Sequence, residues 1–231
     1  MTNRFGIYGS AIPRRGIFGG TFSPFTVAHR AIVKGFIDAY RLDELYIIPT
    51  IVDYHRNGKE DTLLETDKVE IIERMLDTLS PFYQRRIFID KSEFAYRDLC
   101  RGMSDEAWTS IVGGRRFLHT LLDFNVRHGI DKDVSRPYVC IGTDSFEHLD
   151  QWYMNTEIVK ICNLVVVQGR NDVVVSRPEI PHTEFRISYE YEKVSASKIR
   201  EKMRCRDWSH YISDVKRLDE GKITLAELEW I

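Results

Sequence analysis

Thr26 and His29 stand three residues apart at the start of an amphipathic stretch, just behind Gly19-Gly20 and a turn at Ser23-Pro24. Residues at that spacing share one face of a helical first turn, so a hydroxyl and an imidazole can converge on one anion. A glycine pair lets backbone approach a ligand with no Cβ in the way. A helix start adds unpaired N–H donors and the positive end of the dipole, both favourable to negative charge. The order from Gly16 to His29 therefore reads as strand, phosphate-sized loop and helix N-terminus. Such a site suits phosphoryl or nucleotidyl transfer, in which preorganised donors meet charge that builds on phosphate oxygens. The plainer reading of the same residues is a helix N-cap at Thr26 and an ordinary surface or core histidine at position 29.

The stretch closely resembles the signature of nucleotidyltransferases of the adenylyl/cytidylyl type, G-G-(T/S)-F-D-P-x-(H/T)-x-G-H. Gly19, Gly20, Thr21, Phe22, Pro24, Thr26 and His29 match it, while Ser23 replaces the usual Asp and Ala28 the usual Gly. A serine at 23 can still hydrogen-bond the loop backbone as Asp does in turns, and Ala28 adds a methyl where adenine or ribose would lie. Val194-Ser195-Ala196-Ser197-Lys198-Ile199-Arg200 resembles the family's second signature, (I/V)-S-x-(S/T)-x-I-R. The resemblance implies that Gly19, Gly20, Thr21, Phe22, Ser195, Ser197 and Arg200 bind ATP and that Thr26 and His29 contact its phosphates during catalysis. Read as structure alone, Ser195 or Ser197 caps a helix whose Lys198 and Arg200 are solvated.

Gly142-Thr143-Asp144-Ser145, with Leu149 and Trp152 downstream, resembles a segment of nicotinate or nicotinamide mononucleotide adenylyltransferases. There the resemblance sets Gly142 and Asp144 against adenosine; locally, Asp144 or Ser145 serves as a helix N-cap. Ile48-Pro49-Thr50 followed by His55-Arg56 resembles that subfamily's strand-end proline and downstream His-Lys, with a planar guanidinium in place of the ammonium. His55 and Arg56 are thereby candidates for the acceptor or the triphosphate. Trp108 and Thr109 are the nearest counterpart of its acceptor-binding aromatic segment, and a tryptophan packed under a loop is the alternative.

Alternating strand-like and helix-like segments position these residues. Ile17–Gly19, 45–48, Ile87–Ile89, 138–141 and 164–167 read as strands. Helices are expected over Val27–Tyr40, 67–79, 115–127, 145–161 and 197–203, with Ala28, Ala31, Ile32, Gly35, Phe36 and Ala39 on the packed side of the first. Asp67 with Glu70 forms a capping pair in this reading. Apolar strands separated by helices of this length predict an α/β fold, a Rossmann-like doubly wound parallel sheet with helices on both faces. The polar stretches 53–63 and 91–114 read as loops, the segment 1–15 has no assigned counterpart, and 207–231 reads as one or two short helices. The expected organisation is a single nucleotidyltransferase domain over 1–231, with a core of about 16–203 and a C-terminal helical extension of about 205–231.

The 33 Lys and Arg against 35 Asp and Glu leave no net field to attract nucleic acid or an anionic membrane, so any anion site must be local. The four cysteines show no metal-type spacing and fit thiols in a reducing compartment. No apolar run is long enough for a membrane span, and the cytoplasm is the expected location. The resemblance implies an enzyme of NAD biosynthesis. A phosphate oxygen of a pyridine mononucleotide attacks the α-phosphorus of ATP and pyrophosphate leaves, with Mg²⁺ bound through the ATP phosphates. The partners expected are ATP and a phosphate-bearing small-molecule acceptor, neither nucleic acid nor membrane, with room for a homo-oligomer. A relative with a different phosphate acceptor and a non-catalytic ATP-binding homologue are the alternatives.

Overall fold

The computed structural model describes residues 12–50, 65–99, 117–168, 177–192, 194, 196–203 and 208–228. Six strands among them form one sheet: β1 (Arg15–Gly20), β2 (Glu44–Pro49), β3 (Ile87–Ile89), β4 (Tyr138–Gly142), β5 (Asn163–Gln168) and β6 (Thr183–Arg186). Their order is β3-β2-β1-β4-β5-β6, and every adjacent pair is parallel. The chain winds outward from β1 to β3, returns to lay β4 beside β1, then winds outward the other way. This is the doubly wound order, and its switch point lies between β1 and β4.

Side chains alternate across a strand, so the two faces of the sheet can be read residue by residue. Phe18, Leu45, Ile47, Cys140, Val165 and Val167 enter one buried cluster, whereas Ile17, Ile48, Val139, Ile141, Leu164 and Val166 enter the other. Both faces are apolar because helices cover both. The first cluster is closed by α1 (Val27–Tyr40), α2 (Glu65–Leu76) and, from the C-terminal part, α9 (Ala196–Met203) and α10 (Trp208–Asp219). The second is closed by α5 (Phe117–Arg127), α6 (Thr143–Glu147) and α7 (Asn155–Ile161). Fully burying one such Ile or Phe contributes about 1.5–3 kcal/mol. The remaining helices described are α3 (Pro81–Gln84), α4 (Ser92–Leu99) and α8 (Tyr189–Glu192). No helix among the described residues is long and apolar enough to cross a membrane.

Several local expectations change. The buried side of α1 is Val27, Arg30, Val33, Phe36 and Ile37, with Ala39 exposed. The stripe is turned because Arg30, only 4% exposed, points inward to the carboxylate of Asp219 and the hydroxyl of Thr78. Asp67 is the third residue of α2 instead of its cap, and Glu70 pairs with Arg74 at 2.5 Å. The single helix expected over 145–161 is three short pieces. α6 is followed by a 3₁₀ turn at Leu149–Gln151, and Met154 takes a left-handed φ of 50° before α7. α4 forms within the expected loop 91–114, and the polar edge strand β6 is additional.

Candidate active site

Gly20, Pro49 and Gly142 end the adjacent strands β1, β2 and β4, and the carboxyl end of β1 opens into the loop 21–26. The β2 ladder closes past its proline through Thr50 N–H to Gly20 O at 2.8 Å, a bond Pro49 could not donate. A Cβ on Gly20 would stand 2.8 Å from the Phe22 ring, so that glycine lets Phe22 fold back under the loop. Gly19 differs. A Cβ there would meet nothing nearer than 3.9 Å, the Ile48 carbonyl and the Phe117 ring.

Phe22 has φ 44°, an unusual conformation for a bulky residue. With it, the Phe22 ring is 2% exposed and packs edge-on to His29 at 5.3 Å. Phe25, wholly buried, lies 5.3 Å from the same imidazole and Phe18 6.1 Å from it. Three phenyl rings thus fix the plane of His29. What Phe22 offers a ligand is its backbone, because its ring faces inward.

Thr26 caps α1, and its pairing with His29 is reciprocal. His29 N–H donates to Thr26 Oγ1 at 3.4 Å, and Thr26 N–H donates to His29 Nδ1 at 2.9 Å. The Thr26 hydroxyl also lies 3.0 Å from Nδ1. A backbone N–H can only donate, so Nδ1 accepts and the neutral ring carries its proton on Nε2. Histidine here fills the place that Glu or Gln usually takes in a capping box. The helix start is therefore less bare than its sequence suggests. The amides of Thr26, Val27 and His29 are engaged, Val27 N–H by the Tyr211 hydroxyl at 3.1 Å. What the chemistry of this turn can offer an anion is the N-terminal dipole and, with Nδ1 accepting, a donor at His29 Nε2.

The two signatures meet. Val194 is buried against the first cluster, α9 follows from Ala196, and the Arg200 guanidinium donates to the Ser23 carbonyl. Arg200 thereby holds the loop between β1 and α1, and a guanidinium, with its fork of N–H donors, is a side chain suited to phosphate oxygens. The expectation that the Ser23 hydroxyl ties the loop backbone fails. Ser23 Oγ is buried without a hydrogen-bond partner among the described residues, because Arg200 secures this stretch through the carbonyl instead. Ser195 lies outside the described residues, and Ser197 is placed by its backbone in the first turn of α9. His55, Arg56, Trp108 and Thr109 also lie outside them.

Across the switch point, Gly142 is the N-cap of α6 and makes no side-chain cap bond, so neither Asp144 nor Ser145 is the cap. Asp144 sits in the first turn, exposed, with Oδ1 accepting the Ser145 N–H at 2.9 Å. A Cβ on Gly142 would fall 2.7 Å from that oxygen, so glycine lets the carboxylate curl over the strand end. Phe117 opens α5 beside Gly19, and Trp152 meets its ring at 5.3 Å. Sequence reasoning missed Phe18, Phe25 and Phe117. Phe25 alone carried a signal, as an aromatic inside the loop motif.

The family described as cytidylyltransferase-like matches residues 17–202 of this chain. A Geobacter protein named "Probable nicotinate-nucleotide adenylyltransferase" is 26% identical over 168 residues, which cover 72% of this chain and 66% of that protein. The Pseudothermotoga lettingae protein of the same name is 23% identical over 203 residues, 82% of this chain and 85% of its own length. The solved nicotinic acid mononucleotide adenylyltransferase of Plasmodium falciparum complexed with NaAD superposes with a TM-score of 0.61. It is 14% identical over 95% of this chain and 100% of that one. The same enzyme complexed with APC gives 0.59, at 15% identity over 89% and 90%. At these identities the structural likeness is one of fold.

Proposed function

Since the chain belongs to the cytidylyltransferase-like family, we propose that it is a nucleotidyltransferase moving AMP from ATP to the phosphate of a pyridine mononucleotide, nicotinate or nicotinamide mononucleotide, with release of pyrophosphate, in NAD biosynthesis. The relatives named for that reaction support the choice of acceptor. The observation that supports the reading is the reciprocal Thr26–His29 pairing in the turn that follows β1, which makes Nδ1 the acceptor and leaves the proton of the neutral ring on Nε2.

The attacking phosphate oxygen is already anionic, so catalysis needs alignment and charge stabilisation instead of a general base. In this reading ATP lies across the strand ends, its phosphates over the backbone of Gly19, Gly20, Thr21 and Phe22. His29 donates from Nε2 to a phosphate oxygen as charge builds there, and Thr26 orients it. Ser195, Ser197 and Arg200 approach the triphosphate from the second signature, while Gly142 and Asp144 face the adenosine. His55, Arg56, Trp108 and Thr109 belong to the acceptor side, and the edge-to-face Phe117–Trp152 pair, with Phe117 beside Gly19, offers aromatic contact to a pyridine ring. Among the described residues no group of three His, Cys, Asp or Glu is placed to hold a metal ion. The N–H donors gathered here suit anions, so Mg²⁺ would be held by phosphate oxygens and water, offsetting triphosphate charge.

The test is pyrophosphate release with ATP and Mg²⁺ against nicotinate mononucleotide, nicotinamide mononucleotide, phosphopantetheine and small phosphate monoesters. Release with a pyridine nucleotide, reduced about 10²–10³-fold in His29→Ala, is the expected result. ATP binding with no release for any acceptor would contradict it in favour of a non-catalytic homologue. Release with a non-pyridine acceptor alone would reassign the substrate.

A further inference from the structure

The segment after Arg200 matches neither signature, yet it makes the longest-range polar contacts to the start of α1. Tyr211 lies 184 residues from Val27 in sequence, is wholly buried, and accepts the Val27 N–H at 3.1 Å. Two turns further along α10, Asp219 takes the Arg30 guanidinium on both carboxylate oxygens. Val27 and Arg30 bracket His29 within a single turn of α1. Tyr211, Ile212 and Val215 also enter the apolar cluster that α1 packs into, so α10 is packed into the core. Desolvation by burial raises the Tyr211 phenol far above its ordinary range, so the hydroxyl stays neutral at working pH.

We propose that α10 is the positioning element of the active site: Tyr211 and Asp219, acting through Val27 and Arg30, set where the His29 imidazole stands relative to the strand ends. The inference rests on the assignment of His29 to the phosphates. Its physical basis is the strictness of alignment, since a misplacement of about 1 Å can cost a reaction about a hundredfold. The capping box holds His29 to its own helix, and Val27 and Phe18 pack the helix start on the sheet, but apolar packing has no direction of its own, and the polar contacts from α10 supply one. Tyr211 does so by taking an amide that a bare helix end would leave to solvent or ligand. Arg30 does so with a two-pronged bond whose direction is defined as well as its strength.

Tyr211→Phe deletes one oxygen and keeps the buried ring. Steady-state kinetics and amide hydrogen exchange are measured on the full chain, beside unaltered protein and His29→Ala. The expected result is a fall in kcat of about tenfold with the KM for ATP within about twofold, because the ligand contacts survive while their alignment loosens. Exchange at Val27–His29 rises in the same variant, with the amides of β4 and β5 still protected. Asp219→Asn loosens the same turn and gives the same split. Unchanged kcat in Tyr211→Phe would overturn the proposal. So would a loss of protection spread equally over β4 and β5, since that marks a stability effect alone. Silence from the unaltered protein would remove the proposed function and with it the catalytic role of α10, whereas exchange would still report whether the hydroxyl anchors the helix start.

Discussion

At the scale of single residues, the site is built from groups that hold one another before they hold a ligand. Thr26 is 2% exposed, and its hydroxyl is turned to the imidazole, so it orients His29. Gly19 is the position where ligand and fold make separable demands. A methyl there would sit in ordinary contact, 3.9 Å from its nearest neighbours, whereas on Gly20 it would meet the Phe22 ring at 2.8 Å. Gly19→Ala is therefore expected to leave thermal unfolding within about 0.5 kcal/mol of the unaltered protein, while ATP affinity falls at least tenfold because backbone can no longer approach the phosphates. Calorimetric titration with ATP alongside a melting curve checks both. Unweakened ATP binding in a stable Gly19→Ala would show that no phosphate lies against this glycine.

At the scale of elements, sequence legibility followed the range of the interactions. The strands at the centre of the sheet are short apolar runs buried on both faces, and pattern alone places them to within a residue or two. β6, Thr-Glu-Phe-Arg, escapes that pattern because an edge strand is half exposed and polar. The shared face of Thr26 and His29 and the N-cap at Thr26 were legible because both follow from spacing within one turn, whereas the bonding of the two side chains to each other's backbone was not. The grip of Arg200 on Ser23, 177 residues away, and the rotation of α1 around a buried Arg30 were not, because both depend on partners that only the fold supplies. Asp90 illustrates such a partner. It follows β3 and reaches α5 through Arg127 at 2.7 Å, and also accepts the Ser92 N–H at 2.9 Å. Burial opposes its ionisation, but the Arg127 and Ser92 bonds outweigh that and hold its pKa below the ordinary value. A carboxylate with a lowered folded pKa stabilises the fold above its unfolded value, and that contribution is lost as pH falls through the folded one. Asp90→Asn is expected to cost about 1–2 kcal/mol at neutral pH, toward the low end for bonds to charged groups because Arg127 is 39% exposed and screened. The gap from the unaltered protein should begin to narrow below about pH 4, the ordinary carboxylate value, and close only once the pH has passed the lowered folded one. Denaturant unfolding at several pH values measures it, and a gap independent of pH would contradict the ion pair.

At the scale of the whole molecule, the doubly wound order makes one place special. Winding outward from β1 in one direction and from β4 in the other leaves a crevice at their carboxyl ends. Both halves deliver into it: the glycine loop and α1 from the first, Gly142 and α6 from the second, with Arg200 of α9 reaching back to the loop. The near balance of charge, 33 basic against 35 acidic residues, leaves recognition of an anionic substrate to this local arrangement. The proposed reaction forms one bond and breaks one: the mononucleotide phosphate oxygen joins the α-phosphorus of ATP as the bond to pyrophosphate breaks. The most direct test is to follow α-phosphorus-labelled ATP with nicotinate or nicotinamide mononucleotide and Mg²⁺ and identify the labelled product by mass. The expected result is label in a dinucleotide containing both nucleotide halves, formed in step with pyrophosphate. Label appearing as ADP or AMP, or staying in ATP that is nevertheless bound, would contradict it.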